Sequence, residues 1–75
     1  LDGRGVAKDE REAVRLYRLA ADQGDADAQC YLGWCFENGR GVAKDEREAV
    51  RLYRLAADQG LAEAQFNLGA CFAHG

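Results

Sequence analysis

The residues able to do covalent chemistry are few. The chain has no serine and no threonine, one histidine (His74) and three cysteines, Cys30, Cys35 and Cys71. Nucleophilic catalysis needs a thiol or hydroxyl held beside a base, and nothing in the spacing fixes His74 near any thiol. Gly3-Arg4-Gly5 and Gly39-Arg40-Gly41 are glycine-rich. They lie between helical stretches rather than after a strand, and carry no phosphate-loop lysine pattern. The cysteine count is odd, there is no CxxC pair, and Cys30 and Cys35 point apart on one helix. Neither a disulfide framework nor a zinc site is expected. Cys35 and Cys71 read as small buried apolar residues, and reduced thiols favour an intracellular, cytoplasmic compartment. The reading is therefore not an enzyme, with no catalytic residue, no metal ligand and no cofactor.

Residues suited to recognition emerge from an internal repeat. GRGVAKDEREAVRLYRLAADQG runs from Gly3 to Gly24 and returns letter for letter from Gly39 to Gly60, an offset of 36 residues. Over copies 3–38 and 39–74, 29 of 36 positions agree. Asp25/Leu61 differ in a turn. The other differences are Asp27/Glu63, Cys30/Phe66, Tyr31/Asn67, Trp34/Ala70, Glu37/Ala73 and Asn38/His74. At 100° per residue these six fall within about a third of a helix circumference. Tyr31, Trp34 and Phe66 offer aromatic contact area, and Asp27, Glu37 and Glu63 offer acidic acceptors, the composition of a peptide-binding surface. The competing reading is that solvent-facing positions drift freely between duplicated units. Trp34 has a third option, packing as core against a neighbouring hairpin.

The elements that position this face are helices. Asp9 and Asp45 are good N-caps, with Glu12 and Glu48 three residues on in a capping-box-like arrangement. Ala13, Leu16, Tyr17, Ala20 and Ala21 form one apolar stripe, with Arg11, Arg15, Arg18 and Asp22 opposite. Gly24 and Gly60 end these helices. A second helix follows each, with Ala28, Leu32, Cys35 and Phe36 facing inward in the first copy. Gly33 inside a helix implies that another helix backbone passes close by, since glycine there costs about 1 kcal/mol against alanine. Val6 reads as an apolar plug under the loop. The expected helices are about 9–23, 26–38, 45–59 and 62–74, and loops this short make antiparallel hairpins.

A period of this length means stacked supersecondary units, which usually need about three or more repeats for stability. Two copies that begin in mid-unit therefore read as part of a longer array. The net charge is −3 with 31% charged residues, so no strong field for nucleic acid or an anionic membrane surface is implied. No apolar run approaches the ~20 residues needed to span a bilayer. The arginine band reads as a solvated outer face paired with nearby carboxylates.

The order Leu32-Gly33, Phe36, Gly39-Arg40-Gly41-Val42, Asp45, Ala49, Leu52-Tyr53, Ala56-Ala57 and Gln59-Gly60 resembles the Sel-1-like repeat, a branch of the tetratricopeptide-like α/α solenoids. Leu52 stands where that family often has tryptophan, and Leu19 and Leu55 where it often has lysine. Some secreted members carry a disulfide in each repeat. The matching positions here, Ala21 with Gln29 and Ala57 with Gln65, hold no cysteine. The resemblance implies an all-α fold, a right-handed α/α superhelix of helical hairpins over residues 1–75. It also implies a concave groove lined by the first helix of each unit. The expected function is a protein–protein interaction scaffold or adaptor, binding a peptide or protein through Asp27, Cys30, Tyr31, Trp34, Glu37, Asn38, Glu63, Phe66, Asn67, Ala70 and His74, with repeats of the same chain as neighbours. The alternatives are a purely structural spacer, or an accessory segment of a larger enzyme or signalling protein.

Overall fold

The computed structural model describes residues 9–74. The expected loop over 1–8, with Val6 beneath it, lies outside the described residues. Four helices of 13 residues each follow one another: α1 Glu10–Asp22, α2 Ala26–Asn38, α3 Glu46–Asp58 and α4 Ala62–His74. Among the described residues there is no strand. Each helix packs antiparallel on the next, so α2 is flanked by α1 and α3, and α3 by α2 and α4.

Local chemistry sets the ends. The Asp9 and Asp45 carboxylates accept the backbone N–H groups of Glu12 and Glu48, both at 3.1 Å. Only half of each capping box forms, because the Glu12 side chain pairs with Arg15 at 2.6 Å and Glu48 with Arg51 at 2.5 Å instead of reaching back. Asp25 caps α2 by accepting from Ala28 N at 3.0 Å. Helix α1 closes with Gly24 N–H donating to the Ala21 carbonyl at 2.9 Å and Asp25 N–H to that of Ala20 at 3.2 Å. This closure needs a left-handed residue, supplied by Gly24 at φ +93°. Gly60, Leu61, Ala57 and Ala56 repeat it after α3.

The core has two joined parts. Val14, Ala21, Ala28, Leu32, Cys35 and Leu52 form one, and Cys30, Ala49, Tyr53, Ala56 and Ala64 the other. Phe36 packs against both. Gly33 is the close approach expected of it: a Cβ there would lie 3.0 Å from the Tyr53 ring and 3.3 Å from the Ala49 carbonyl oxygen.

The expected α1 stripe needs correction. Leu16 is 51% exposed, whereas its counterpart Leu52 is 2% exposed. The reason is position. Helix α3 has a helix on both flanks, and α1 has one on a single flank. Val14, outside the stripe, is buried at 5%. The α2–α3 loop lies over it: a Cβ on Gly41 would stand 2.8 Å from Val14 and 2.5 Å from the Glu10 carbonyl oxygen. Four of the six arginines of the band are engaged locally. Arg15 and Arg51 hold Glu12 and Glu48, while the Arg18 and Arg54 guanidiniums lie over the Phe36 and Phe72 rings at 5.7 and 5.8 Å.

Candidate functional site: a groove cavity across α1, α2 and α4

Helix α2 is buried over a wider arc than one amphipathic stripe, because it packs on two sides. Ala28, Leu32 and Cys35 face one way, while Gln29, Cys30 and Gly33 are buried on the other. Tyr31 and Trp34 remain outside, 53% and 42% exposed.

A cavity of about 260 Å³ opens beside these two, lined by Tyr17, Cys30, Tyr31, Trp34, Cys35, Glu63 and Asn67. Tyr31 is fixed by stacking on Tyr17, with ring centroids 5.5 Å apart and planes 10° from parallel. Trp34 is neither idle nor core. The Arg40 guanidinium lies 5.5 Å from its ring centroid, an arrangement stabilised by the ring quadrupole. Arg40 is itself anchored by donating to Glu10 through Nε at 2.8 Å and through Nη2. The Asn38 amide donates to the Trp34 carbonyl at 2.9 Å.

The thiols here are held protonated. Burial pushes Cys30 up, helped by the Glu63 carboxylate and opposed by the Asn67 amide, which donates toward Sγ at 3.7 Å. Burial also raises Cys35, with Glu10 adding to it. Cys71 is raised by burial, then by Glu37 and Glu46. A thiol kept neutral is a poor nucleophile and a poor metal ligand. Among the described residues no group of three His, Cys, Asp or Glu side chains gathers as a metal site.

The expected face divides. Cys30, Tyr31, Trp34, Glu63 and Asn67 meet at this cavity. Glu37, Ala70 and His74 line a second, more open concavity of about 720 Å³, near the C-terminal ends of α2 and α4. Asp27, Asn38 and Phe66 line neither. The placement of all six α2 positions on one outward face is corrected at two of them. Cys30 is 4% exposed and packs with Ala49, Tyr53, Ala56 and Ala64. Glu37 turns toward α3, where its Oε1 accepts from the Tyr53 hydroxyl at 2.7 Å. Both sit at the edge of the outward arc that α3 and α4 cover. Tyr17 and Arg40 belong to the site and were not expected there. Each is identical in both copies, so a comparison of differing positions passes over them.

Where some secreted Sel-1-like proteins carry a disulfide, this chain has a hydrogen bond. Gln29 Nε2 donates to the Ala21 carbonyl and Gln65 Nε2 to that of Ala57, both at 3.2 Å.

Comparison with known proteins agrees with the helical-repeat fold. No curated protein matches the sequence significantly. A Sel1 repeat protein from Oxalobacter formigenes, known as a crystal structure, superposes with a TM-score of 0.86 and 43% sequence identity. The match covers 92% of this chain and 28% of that one. The Sel1 repeat profile matches residues 1–25, 26–61 and 62–75. Its full unit therefore joins α2 to α3, with boundaries in the short turns after Asp25 and Leu61. The chain is an all-α helical-repeat protein and belongs to the Sel1 repeat family.

Proposed function

We propose that this chain is a binding module whose groove cavity takes a side chain of a peptide or protein partner. Sel1 repeat proteins are generally non-catalytic scaffolds that mediate protein–protein interactions. One observation carries the finer reading. Five residues, drawn from four of the seven positions at which the two copies differ, converge on one cavity of about 260 Å³, while most of the positions that hold the helices together stay constant. Tyr31 and Trp34 supply rigid aromatic area at small entropic cost. Glu63 and Asn67 supply polar contacts that orient the occupant. The site carries no activated nucleophile, which favours recognition over catalysis. Local engagement of four of the six band arginines and the net charge of −3 favour a protein over a nucleic-acid partner.

The test is a displayed peptide library selected against the chain, with binding read from the emission of Trp34, the sole tryptophan. The expected result is peptides that shift this emission and bind Tyr31→Ala at least about tenfold more weakly. Failure to enrich any peptide, or equal binding by Tyr31→Ala and Glu63→Gln with helical content intact, rejects the groove.

A further inference from the structure

The groove cavity presents hydrogen-bond acceptors beside aromatic rings. Glu63 and Asn67 stand four residues apart on α4, so their side chains are neighbours on one helix face. The Asn67 amide donates its N–H toward Cys30 Sγ, which leaves Oδ1 as an acceptor with no donor among the described residues. Glu63 and Asp27 pair with no cation among the described residues. Both carboxylates are felt at the cavity wall, where they add to the burial that raises the Cys30 thiol, Glu63 ahead of Asp27. Arg40, the cation against Trp34, is already neutralised by Glu10.

The chain's own contacts show what such a combination holds. Arg40 is gripped by one ring, Trp34 at 5.5 Å, and one carboxylate, Glu10. Two further guanidiniums lie over Phe36 and Phe72. Tyr31 is stacked on Tyr17, is 53% exposed and has no cation over it among the described residues. Tyr31 and Glu63 therefore set a second ring and a second carboxylate at one cavity, without the guanidinium.

We propose that the cavity takes an arginine side chain of a basic peptide segment, seated against Tyr31 and Trp34 and ion-paired with Glu63, an assignment that rests on the groove being a peptide site. The face of an aromatic ring is negative, so it attracts a cation and disfavours a carboxylate. Arginine fits better than lysine. Its flat guanidinium stacks on a ring while its edge N–H groups reach two acceptors, whereas an ammonium is a compact, strongly hydrated charge. The size agrees: about 260 Å³ lies below the ~300–1,000 Å³ of small-molecule sites and suits a single long side chain. The net charge of −3 draws a basic segment toward the chain.

Short displayed peptides with random flanks and one fixed central residue, arginine, lysine or glutamate, are selected against the chain. The best binder is then remade with citrulline, which keeps the shape of arginine and drops its charge. Binding is titrated through Trp34 emission. The expected result is that the arginine peptides bind most tightly and that citrulline weakens binding at least about tenfold. The advantage of arginine over citrulline should shrink as salt rises. Tyr31→Leu keeps apolar area and a good helix former but removes the ring, and should bring the arginine and citrulline peptides together. Glu63→Gln, checked for unchanged helical content, should narrow their gap about threefold. Peptides that need Tyr31 but bind as tightly with citrulline, lysine or glutamate as with arginine overturn the arginine assignment and leave the groove standing. Peptides that bind Tyr31→Ala as well as wild type overturn both.

Discussion

The Tyr53 hydroxyl donates to Glu37 Oε1 at 2.7 Å, joining α3 to α2 across the centre of the stack. Tyr53 is fully buried and its ring lies against Gly33. One residue therefore fills the joint and satisfies a half-buried carboxylate. We predict that Tyr53→Phe keeps the packing and loses the bond, costing about 1.5–3 kcal/mol, the range for hydrogen bonds to charged groups. Urea unfolding followed by circular dichroism measures it. A variant as stable as the wild type would mean that the bond adds nothing to folding.

The same hydroxyl ties stability to alkaline pH. Burial first, and the Glu37 hydrogen bond second, push the Tyr53 pKa far above its ordinary value of about 10. Folding therefore favours the protonated phenol. This contribution is fully present below about pH 10, and declines as pH rises beyond it by up to about 1.4 kcal/mol per unit. We predict that the stability gap between wild type and Tyr53→Phe is constant from neutral pH to about 10 and narrows above it. Parallel decline of the two proteins would remove Tyr53 from the account.

Features that depend on a few neighbouring residues are legible in the sequence. Asp9 and Asp45 announce helix starts, Gly24 a stop, and Gly33 a close neighbour, because caps and clearances are local. Burial is not local. Leu16 and Leu52 share identical flanking sequence and differ from 51% to 2% exposed, since what covers a helix is set by the elements on either side of it. Cys30 is hidden for the same reason: it lies on the outward arc of α2 taken alone, and α3 and α4 close over it. The site is half legible. Differences between copies point to Tyr31, Trp34, Glu63 and Asn67, and are blind to Tyr17 and Arg40, which repetition conceals.

Identical residues in unlike surroundings make a clean comparison. We predict that Leu52→Ala costs about 2–5 kcal/mol, the range for emptying a buried leucine site, and Leu16→Ala no more than about 1 kcal/mol, since half of its surface is already in water. Leu32, 2% exposed, belongs with Leu52, while the half-buried Leu68 falls between. Thermal melts of the four variants give the order. Equal losses at Leu16 and Leu52 would contradict the burial described here.

Gly33 and Gly69 offer a second matched pair. Alanine gains about 1 kcal/mol over glycine in a helix interior. At Gly69 nothing opposes the gain, and we predict Gly69→Ala to be stabilising by about 0.5–1 kcal/mol. At Gly33 the new methyl presses on a tyrosine ring and a backbone carbonyl that are both enclosed. Overpacking of this kind costs about 1–3 kcal/mol, so Gly33→Ala is neutral to destabilising. The two melting shifts should differ in size, and Gly33→Ala should not be the more stabilising.

Arg40 links three elements: it is held by Glu10 of α1, belongs to the α2–α3 loop and covers Trp34 of α2. Glu10 and Arg40 side chains are 38% and 41% exposed, so their ion pair is worth little on its own, about 0–1 kcal/mol. The cation over the indole adds about 0.5–1 kcal/mol. The larger consequence is placement, because Arg40 shields one face of the ring that borders the groove cavity. We predict that Arg40→Ala lowers stability by about 1 kcal/mol and shifts Trp34 emission to longer wavelength as water reaches that face. Arg40→Lys should recover less than half of the shift, since an ammonium lacks the planar stack of a guanidinium. Emission unchanged in Arg40→Ala would mean that the guanidinium does not cover the ring in solution.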